Sequence, residues 1–596
     1  MKTFQANYST IKIITASLLL QFAFQISSAQ SFTKITTGDV VNTPGDYRSV
    51  NWIDYDNDGY LDLQITNGNA AGDNNTLYHN NGNGTFTTVL TDPIVSDNQP
   101  SDGATWADFD NDGDVDCFVV NWYGINNMFY INNGNGTFTQ DMTSVIATDS
   151  GYSETASWGD YDNDGYVDLY VTNSDSVLRN YLYHNNGNGT FTKITSGNPV
   201  TDQRISRCVN WTDYDSDGDA DIFVSNEGNQ NENLYVNDST GNFTSITTGV
   251  LVTAGGKTMS SSWGDYDNDG DQDVVLANDQ GNEAFFRNDG AGVFTKLITD
   301  TLVKCGGNSF GSNWGDIDND GDLDLIITNS FWGGMWHNFL FINNGNGTFS
   351  RDAATPIVQD SGWSYGCAFG DYDNDGFLDL AVANCYNASQ NNSLYHNDGN
   401  SNHWIEIKCI GVISNRSAIG AKIKIKANIN GIDVWQFREI SAQTGYCGQN
   451  MLTVHVGLGN ASNIDTLKIE WPSGIVDMYL NVNTDQITTA IEGQSLNAID
   501  DIKTPDVTLL TNHPNPFIDD TAFEFELNDN SYVQLFIYDS KGYKIATLLN
   551  KKMSKGKHTI KWNGNDNEGK KISAGVFLYV LRNNDQLITR KLTHLK

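Results

Sequence analysis

Seven copies of one acidic pattern, Asp-x-Asp-x-Asp-Gly-x-x-Asp, punctuate the chain between Asp54 and Asp379. Each sets carboxylates at positions 1, 3, 5 and 9, with glycine at position 6 where the backbone must turn sharply. That is the oxygen-donor part of an EF-hand loop, in which residue 7 adds its backbone carbonyl. The candidate metal ligands are Asp54, Asp56, Asp58, Tyr60 and Asp62 in the first copy, then Asp108, Asp110, Asp112, Asp114 and Asp116. Asp160, Asp162, Asp164, Tyr166 and Asp168 follow, then Asp213, Asp215, Asp217, Asp219 and Asp221. The last three are Asp265, Asp267, Asp269, Asp271 and Asp273; Asp316, Asp318, Asp320, Asp322 and Asp324; and Asp371, Asp373, Asp375, Phe377 and Asp379. Four gathered carboxylates repel by about 1 kcal/mol per pair even in water-like surroundings, so the arrangement calls for a cation. Calcium tolerates seven oxygen ligands, whereas magnesium prefers a stricter octahedron and keeps its waters. The alternative is that Asp-Asn-Asp-Gly is turn chemistry alone, but a turn does not require Asp at all four positions in every copy.

Position 12, the bidentate Glu of an EF-hand, is apolar here (Ile65, Val119, Val171) because each loop leads into a strand. The expected calcium affinity is therefore modest, about 0.1–1 mM, with about one structural ion per repeat. The loops hold a large share of the 73 acids, against 34 basic residues and a net charge of −39. Such a balance excludes nucleic-acid backbone binding as a default. It also makes the acidity a consequence of the metal sites rather than a sign of a basic partner.

The loops recur at intervals of roughly 53 residues. Two residues before each stands an aromatic (Trp52, Trp106, Trp158, Trp211, Trp263, Trp314, Phe369), placed for core packing, and each loop leads to an Asn (Asn67 in the first). Short alternating strands follow, then Asn-Gly-Asn-Gly, which supplies the positive-φ residues of a tight hairpin, then Thr-Phe-Thr. Four strands per repeat suit a propeller blade, and 57 Gly with 38% hydrophobic residues suit an all-β chain. The fold expected is a seven-bladed β-propeller over 30–401. The segment Ser31–Thr36 nearly copies Thr190–Thr195, so the first strand should complete the seventh blade. The competing arrangement has Trp404 supply that strand.

The seven-copy pattern resembles the FG-GAP or VCBS repeat family, the propeller repeats also found in integrin α-subunits. The resemblance implies a calcium-dressed, non-catalytic propeller used outside the cell for adhesion or ligand binding. Residues 402–500 carry Asn402-His403-Trp404-Ile405, Asn415-Arg416-Ser417-Ala418-Ile419-Gly420-Ala421, His455-Val456-Gly457-Leu458-Gly459 and Ile469-Glu470-Trp471-Pro472-Ser473-Gly474. They are similar to the ASPIC/UnbV domain that follows such propellers in cartilage acidic protein and its bacterial relatives, which implies a small β-rich domain. Residues 505–596, where basic residues outnumber acidic ones, contain His513-Pro514-Asn515-Pro516-Phe517 and Ser573-Ala574-Gly575-Val576-Phe577. They resemble the C-terminal sorting domain of the type IX secretion system, an immunoglobulin-like sandwich, and imply that machinery as a partner.

Lys2 and Lys12, the apolar run Ile13–Ile26 and Ser27-Ser28-Ala29 read as a signal peptide over 1–29. No later run is long enough to span a membrane, so a secreted or outer-surface location is expected. Seven cysteines form no complete disulfide framework. Cys367 with Cys385 and Cys409 with Cys447 leave two local bridges open, beside the alternative that they are buried hydrophobes.

No nucleophile elbow, HExxH or Walker loop is present. His79, His184 and His396 recur at one repeat position, which argues against a unique catalytic His, and His455 reads as structural. Asn83, Asn135, Asn188 and Asn346 form sequons that the hairpin turn explains. A binding propeller for glycan or protein leads the function classes, ahead of a scaffold without a small ligand and of a polysaccharide-active enzyme. Binding predicts loop variation at one end of the propeller, with Trp332 and Trp336 as a candidate patch.

Overall fold

The computed structural model describes residues 30–595 apart from 176–177, 331–336, 386–389, 499–506, 528–529, 540–543, 568 and 584–585. The signal segment and the Trp332/Trp336 patch lie outside the described residues. The chain divides into two compact units after Ala498, and both are β-structures.

Seven four-stranded antiparallel sheets form the propeller. In the third blade the strands are Ser153–Gly159, Asp168–Asn173, Tyr181–Asn185 and Phe191–Ile194, in that order from channel to rim. The first two are buried along their whole length because neighbouring blades cover both faces. Strands at that depth lose the in-out alternation of a half-exposed sheet. Trp52, Trp106 and Trp158 are completely buried, and burying each contributes roughly 4–6 kcal/mol of transfer free energy as an upper figure. Their indoles also link blades: Trp52 Nε1 donates to the Ala368 carbonyl at 3.1 Å and Trp211 Nε1 to Ser157 at 3.0 Å. The glycine after the aromatic makes room for this. A Cβ on Gly370 would meet the Trp52 ring at 2.7 Å.

Phe32–Lys34 pairs antiparallel with Ser393–Asn397 and completes the seventh blade, so the ring closes with strands from both ends of the propeller. Trp404 lies instead in His403–Ile410, which pairs with Val454–Gly459 and Ile487–Ile491. That sheet and a second one, built from Ile432–Glu439, Lys422–Ile429, Asn463–Glu470 and Val476–Asn483, form a sandwich. In Lys422–Ile429 the isoleucines point into its core while the lysines stay half-exposed, as the alternation predicts. All seven cysteines are free thiols, six of them buried, so neither local bridge is present.

In the second unit, Val507–His513, Thr521–Leu527 and Gly556–Trp562 face a four-stranded sheet. That sheet runs Lys544–Met553, Ser531–Asp539, Gly575–Asn583 and Gln586–His594. Phe523, Phe525, Leu535, Ile537, Trp562 and Tyr579 fill the core between the two sheets. Among the described residues no helix is long and apolar enough to cross a membrane.

Candidate metal-binding ring and plugged channel

Each acidic loop joins the innermost strand of a blade to the second. In all seven the position-5 carboxylate accepts the N–H of residue 7, at 2.9 Å for Asp58 and Tyr60. In six the position-1 carboxylate accepts the N–H groups of residues 5 and 6, at 3.0 and 2.7 Å for Asp108. The position-9 carboxylate ties the loop to the third strand, with Asn80 N–H donating to Asp62 Oδ1 at 2.7 Å. Ligand atoms of Asp54, Asp56 and Asp58 lie within 4.8 Å of one another, and so do those of Asp108, Asp110 and Asp112.

The donor set fits a divalent cation. At position 3, Oδ1 of Asp56, Asp162, Asp215, Asp267 and Asp373 is buried and accepts no hydrogen bond, and neither does Asp221 Oδ2. A buried carboxylate oxygen left unpaired is costly, and an ion at the focus of the loop would satisfy it. Burial first, and neighbouring carboxylates after it, push Asp62 and Asp273 up to about 9 and Asp320 up to about 8. A bound cation would reverse both causes. At position 7 the Asp side chains serve the neighbouring blade or hairpin. Asp114 accepts from Asn57 at 2.9 Å, Asp322 from Asn268 at 2.8 Å and Asp219 from Ser239 at 2.5 Å. The ligand that the spacing assigns at position 7 is therefore the backbone carbonyl.

Two further residue types belong to the ring. Position 4 is left-handed in every loop, from φ 54° at Asn163 to φ 62° at Ser216, a conformation that Asn tolerates well. Its side chain also stitches the loops together. Asn57, Asn111, Asn268, Asn319 and Asn374 each donate to the glycine carbonyl of the next loop, the last to Gly59 at 3.1 Å across the closing seam. His79, His184 and His396 each place Nδ1 at 3.2 Å from the position-9 carboxylate and near the position-3 one. Their recurrence in register was the signal; the contact with the loop was not legible.

The sandwich of 402–498 caps this acidic face. Lys408 reaches Asp54 at 3.4 Å, Lys422 pairs with Asp213, and Arg438 acts electrostatically on Asp265 and Asp316. All four are position-1 aspartates. His455 is buried, its Nε2 donating to the Gly376 carbonyl at 3.2 Å, and burial lowers its pKa to about 4, so it is neutral and structural.

From the cap the loop 440–453 enters the central channel and touches every blade. Gly448–Gln449 adds a short parallel strand to Tyr47–Ile53. Gln449 exchanges hydrogen bonds with the Trp106 backbone at 2.8 and 3.0 Å. Asn210 donates to the Gln443 carbonyl, Ser262 to the Thr444 carbonyl, Asn313 to Thr444 Oγ1 and Phe369 N–H to Asn450. At the deep end Tyr446 Oη donates to a carboxylate, lying 3.0 Å from both Asp102 and Glu154.

Here the blades stop being copies. The second residue of the innermost strand is Arg48, Asp102, Glu154 or Arg207 in blades one to four, and Met259, Phe310 or Tyr365 in the rest. Arg207 pairs with Glu154 and Glu227 at 2.5 Å, and Arg48 stacks 4.3 Å over the Tyr365 ring. The Arg207 guanidinium holds Glu154 below the usual carboxylate range despite its burial, while burial and the Glu154 charge raise Asp102.

The FG-GAP-like repeat matches residues 63–119, 108–171, 160–224, 213–276, 265–327 and 329–382. ASPIC and UnbV matches 411–497, and the FlgD Ig-like domain matches 515–585. Cartilage acidic protein 1 of Xenopus tropicalis is 26% identical over 283 residues, covering 43% of this chain and 40% of that protein. The Mus musculus protein is 27% identical over 159 residues, a quarter of each chain. The chain thus spans well under two thirds of the curated relatives it matches. Among solved structures, YCF48 bound to D1 peptide is similar at 10% identity and a TM-score of 0.39, over 62% of this chain and 96% of that one.

Proposed function

The chain belongs to the FG-GAP-like repeat family, whose repeats match more than half of its length. From that premise we propose that it is an exported, calcium-stabilised propeller that binds an extracellular glycan or protein without transforming it. The observation that carries this reading is the contrast between the two ends of the blades. At one end seven loops repeat the same carboxylates, five of them with a buried, unpartnered carboxylate oxygen that a cation would satisfy; at the other, equivalent positions differ from blade to blade. Calcium bound there would neutralise the carboxylates and hold neighbouring blades in register, one structural ion per loop.

A non-catalytic role is supported by the channel. The unmatched acids that an enzyme would need, Asp102 and Glu154, are committed to Arg48, Arg207 and Tyr446. The loop 440–453 stands where a substrate would have to enter. Export rests on the signal-like segment 1–29 and on the resemblance of the tail to a type IX sorting module, whose immunoglobulin-like fold 507–595 adopts.

The test is a calorimetric calcium titration of the mature chain, with melts in calcium and in chelator and ligand capture in calcium. At free calcium of about ten times Kd each site adds about 1.4 kcal/mol, so seven add about 10 kcal/mol. A melt unchanged by chelator would remove calcium from the reading. Failure of the calcium-loaded chain to retain any glycan or protein would remove ligand binding and leave the scaffold.

A further inference from the structure

The channel mouth farthest from the acidic loops carries an arc of aromatic rings that the propeller does not need for its core. Trp122 follows the second strand of blade two, and its Nε1 donates to buried Glu154 at 2.8 Å. Its ring meets Tyr123 at 4.7 Å and Tyr152 at 5.0 Å, both edge-on. Tyr123 is 46% exposed and sits at φ 57°. The same left-handed turn recurs at the matching position of blades three, four and five, at Asp175 (φ 51°), Gly228 (φ 74°) and Gln280 (φ 65°), so the turn belongs to the repeat and in blade two it carries an aromatic ring.

Across the mouth the equivalent positions are polar and incompletely bonded. The residue that matches Trp122 is Asp279 in blade five and Ser330 in blade six. All three are fixed alike, each N–H donating to the carbonyl just before the innermost strand. Asp279 is only 9% exposed, yet its Oδ1 has no hydrogen-bond partner, and neither does the fully buried Ser330 Oγ. Arg48 Nε, on the same rim, is ion-paired with Asp102 at 3.8 Å but makes no hydrogen bond. Donors and acceptors of both signs alternate here, so a strongly charged ligand of either sign would meet repulsion.

We propose that this mouth binds a neutral oligosaccharide, one sugar stacking its C–H face on Tyr123 beside Trp122 and Tyr152. Hydroxyls of the chain bond Asp279, Ser330 and Arg48. Rigid aromatic faces combined with scattered buried donors and acceptors suit a polyol, which offers a flat apolar face and hydroxyls that both donate and accept. A peptide would call for an apolar side-chain pocket or a free strand edge, and the described residues named on this rim provide neither. The inference rests on the ligand-binding reading above and specifies its face and its chemistry.

The experiment screens the calcium-loaded mature chain against neutral gluco-, galacto-, manno- and fuco-oligosaccharides, then titrates hits calorimetrically for wild type, Tyr123→Gly and Asp279→Asn. At least one hit tighter than about 1 mM is expected, weakened about tenfold or more by each variant. Tyr123→Gly should melt at or above the wild-type temperature, since glycine accepts φ 57° without strain. Loss of binding without loss of stability separates a ligand contact from a structural one. No neutral hit, or hits that ignore both variants, overturns the carbohydrate assignment. Binding of a protein or peptide that Tyr123→Gly abolishes overturns it too, while keeping the ligand-binding reading. Failure of every ligand class overturns both.

Discussion

At Gly448 the plugging loop passes tightly against a blade. A methyl group on its Cα would stand 2.2 Å from the Cys367 carbonyl oxygen and 3.2 Å from the carbonyl carbon. Those atoms belong to Ser364–Gly370, the wholly buried innermost strand of blade seven. Non-bonded heavy atoms settle at about 3.5–4.0 Å, so Gly448→Ala requires loop or strand to move by about 1 Å. Such a shift breaks the bond from Val50 N–H to the Cys447 carbonyl at 3.1 Å and the two Gln449–Trp106 bonds at 2.8 and 3.0 Å. The bond from Phe369 N–H to Asn450 at 2.8 Å is strained with them. Four buried hydrogen bonds at about 1 kcal/mol each give a loss on the order of 3–4 kcal/mol. Gly448 is outside the left-handed region, so the loss is steric and is offset only by the few tenths that alanine gains in the unfolded chain. The mature chain in calcium should melt about 3–4 °C lower, with new protease cleavage within 440–453. A variant with wild-type melting and an uncut loop would refute the claim that the loop is locked into the channel.

Two further predictions concern single side chains. Glu232 stands where five other blades carry Asn, accepting Asn226 N–H and Thr258 Oγ1–H at 2.6 Å, and burial pushes it up to about 8. The folded state then holds a proton that the unfolded state loses above about pH 4.3, so stability falls as pH rises toward 8. Glu232→Gln can accept Asn226 N–H through Oε1 and donate Nε2–H to Thr258 Oγ1, as the protonated acid does, and should match wild type near about pH 4 but gain on the order of 2–3 kcal/mol at about pH 8 in urea melts. An equal effect at both pH values would contradict this. At the closing seam, Asn374→Gly keeps φ 60° and loses only the bond to Gly59, about 1 kcal/mol, whereas Asn374→Ala loses the backbone preference as well, about 2 kcal/mol. Equilibrium denaturation giving the reverse order would reject the stitching role of position 4.

Much of the architecture was legible because the repeat states it seven times over. The burial of Trp52, Trp106 and Trp158 and the closing strand Phe32–Lys34 follow from register alone. Loop composition pointed to oxygen donors at positions 1, 3, 5 and 9, and the orphaned Oδ1 atoms at position 3 add a physical reason. Residues that act between blades were not legible. Asn57 reads as a turn residue, yet its partner Gly113 lies in the next repeat. Lys422 reads as the half-exposed face of a strand, yet it sits on Asp213 of the propeller.

By itself the sequence determined the period, the strand order within each blade and the acidic loops, because those depend on residues close along the chain: alternation, turn glycines and nine-residue spacing. Only the tertiary structure decided what fills the channel and what its mouth presents. Tyr446 lies hundreds of residues from Asp102 and Glu154, and a channel wall takes one strand from each blade. Its chemistry is set by which unlike residues a closed ring brings face to face. Local propensity carries no information about such a meeting.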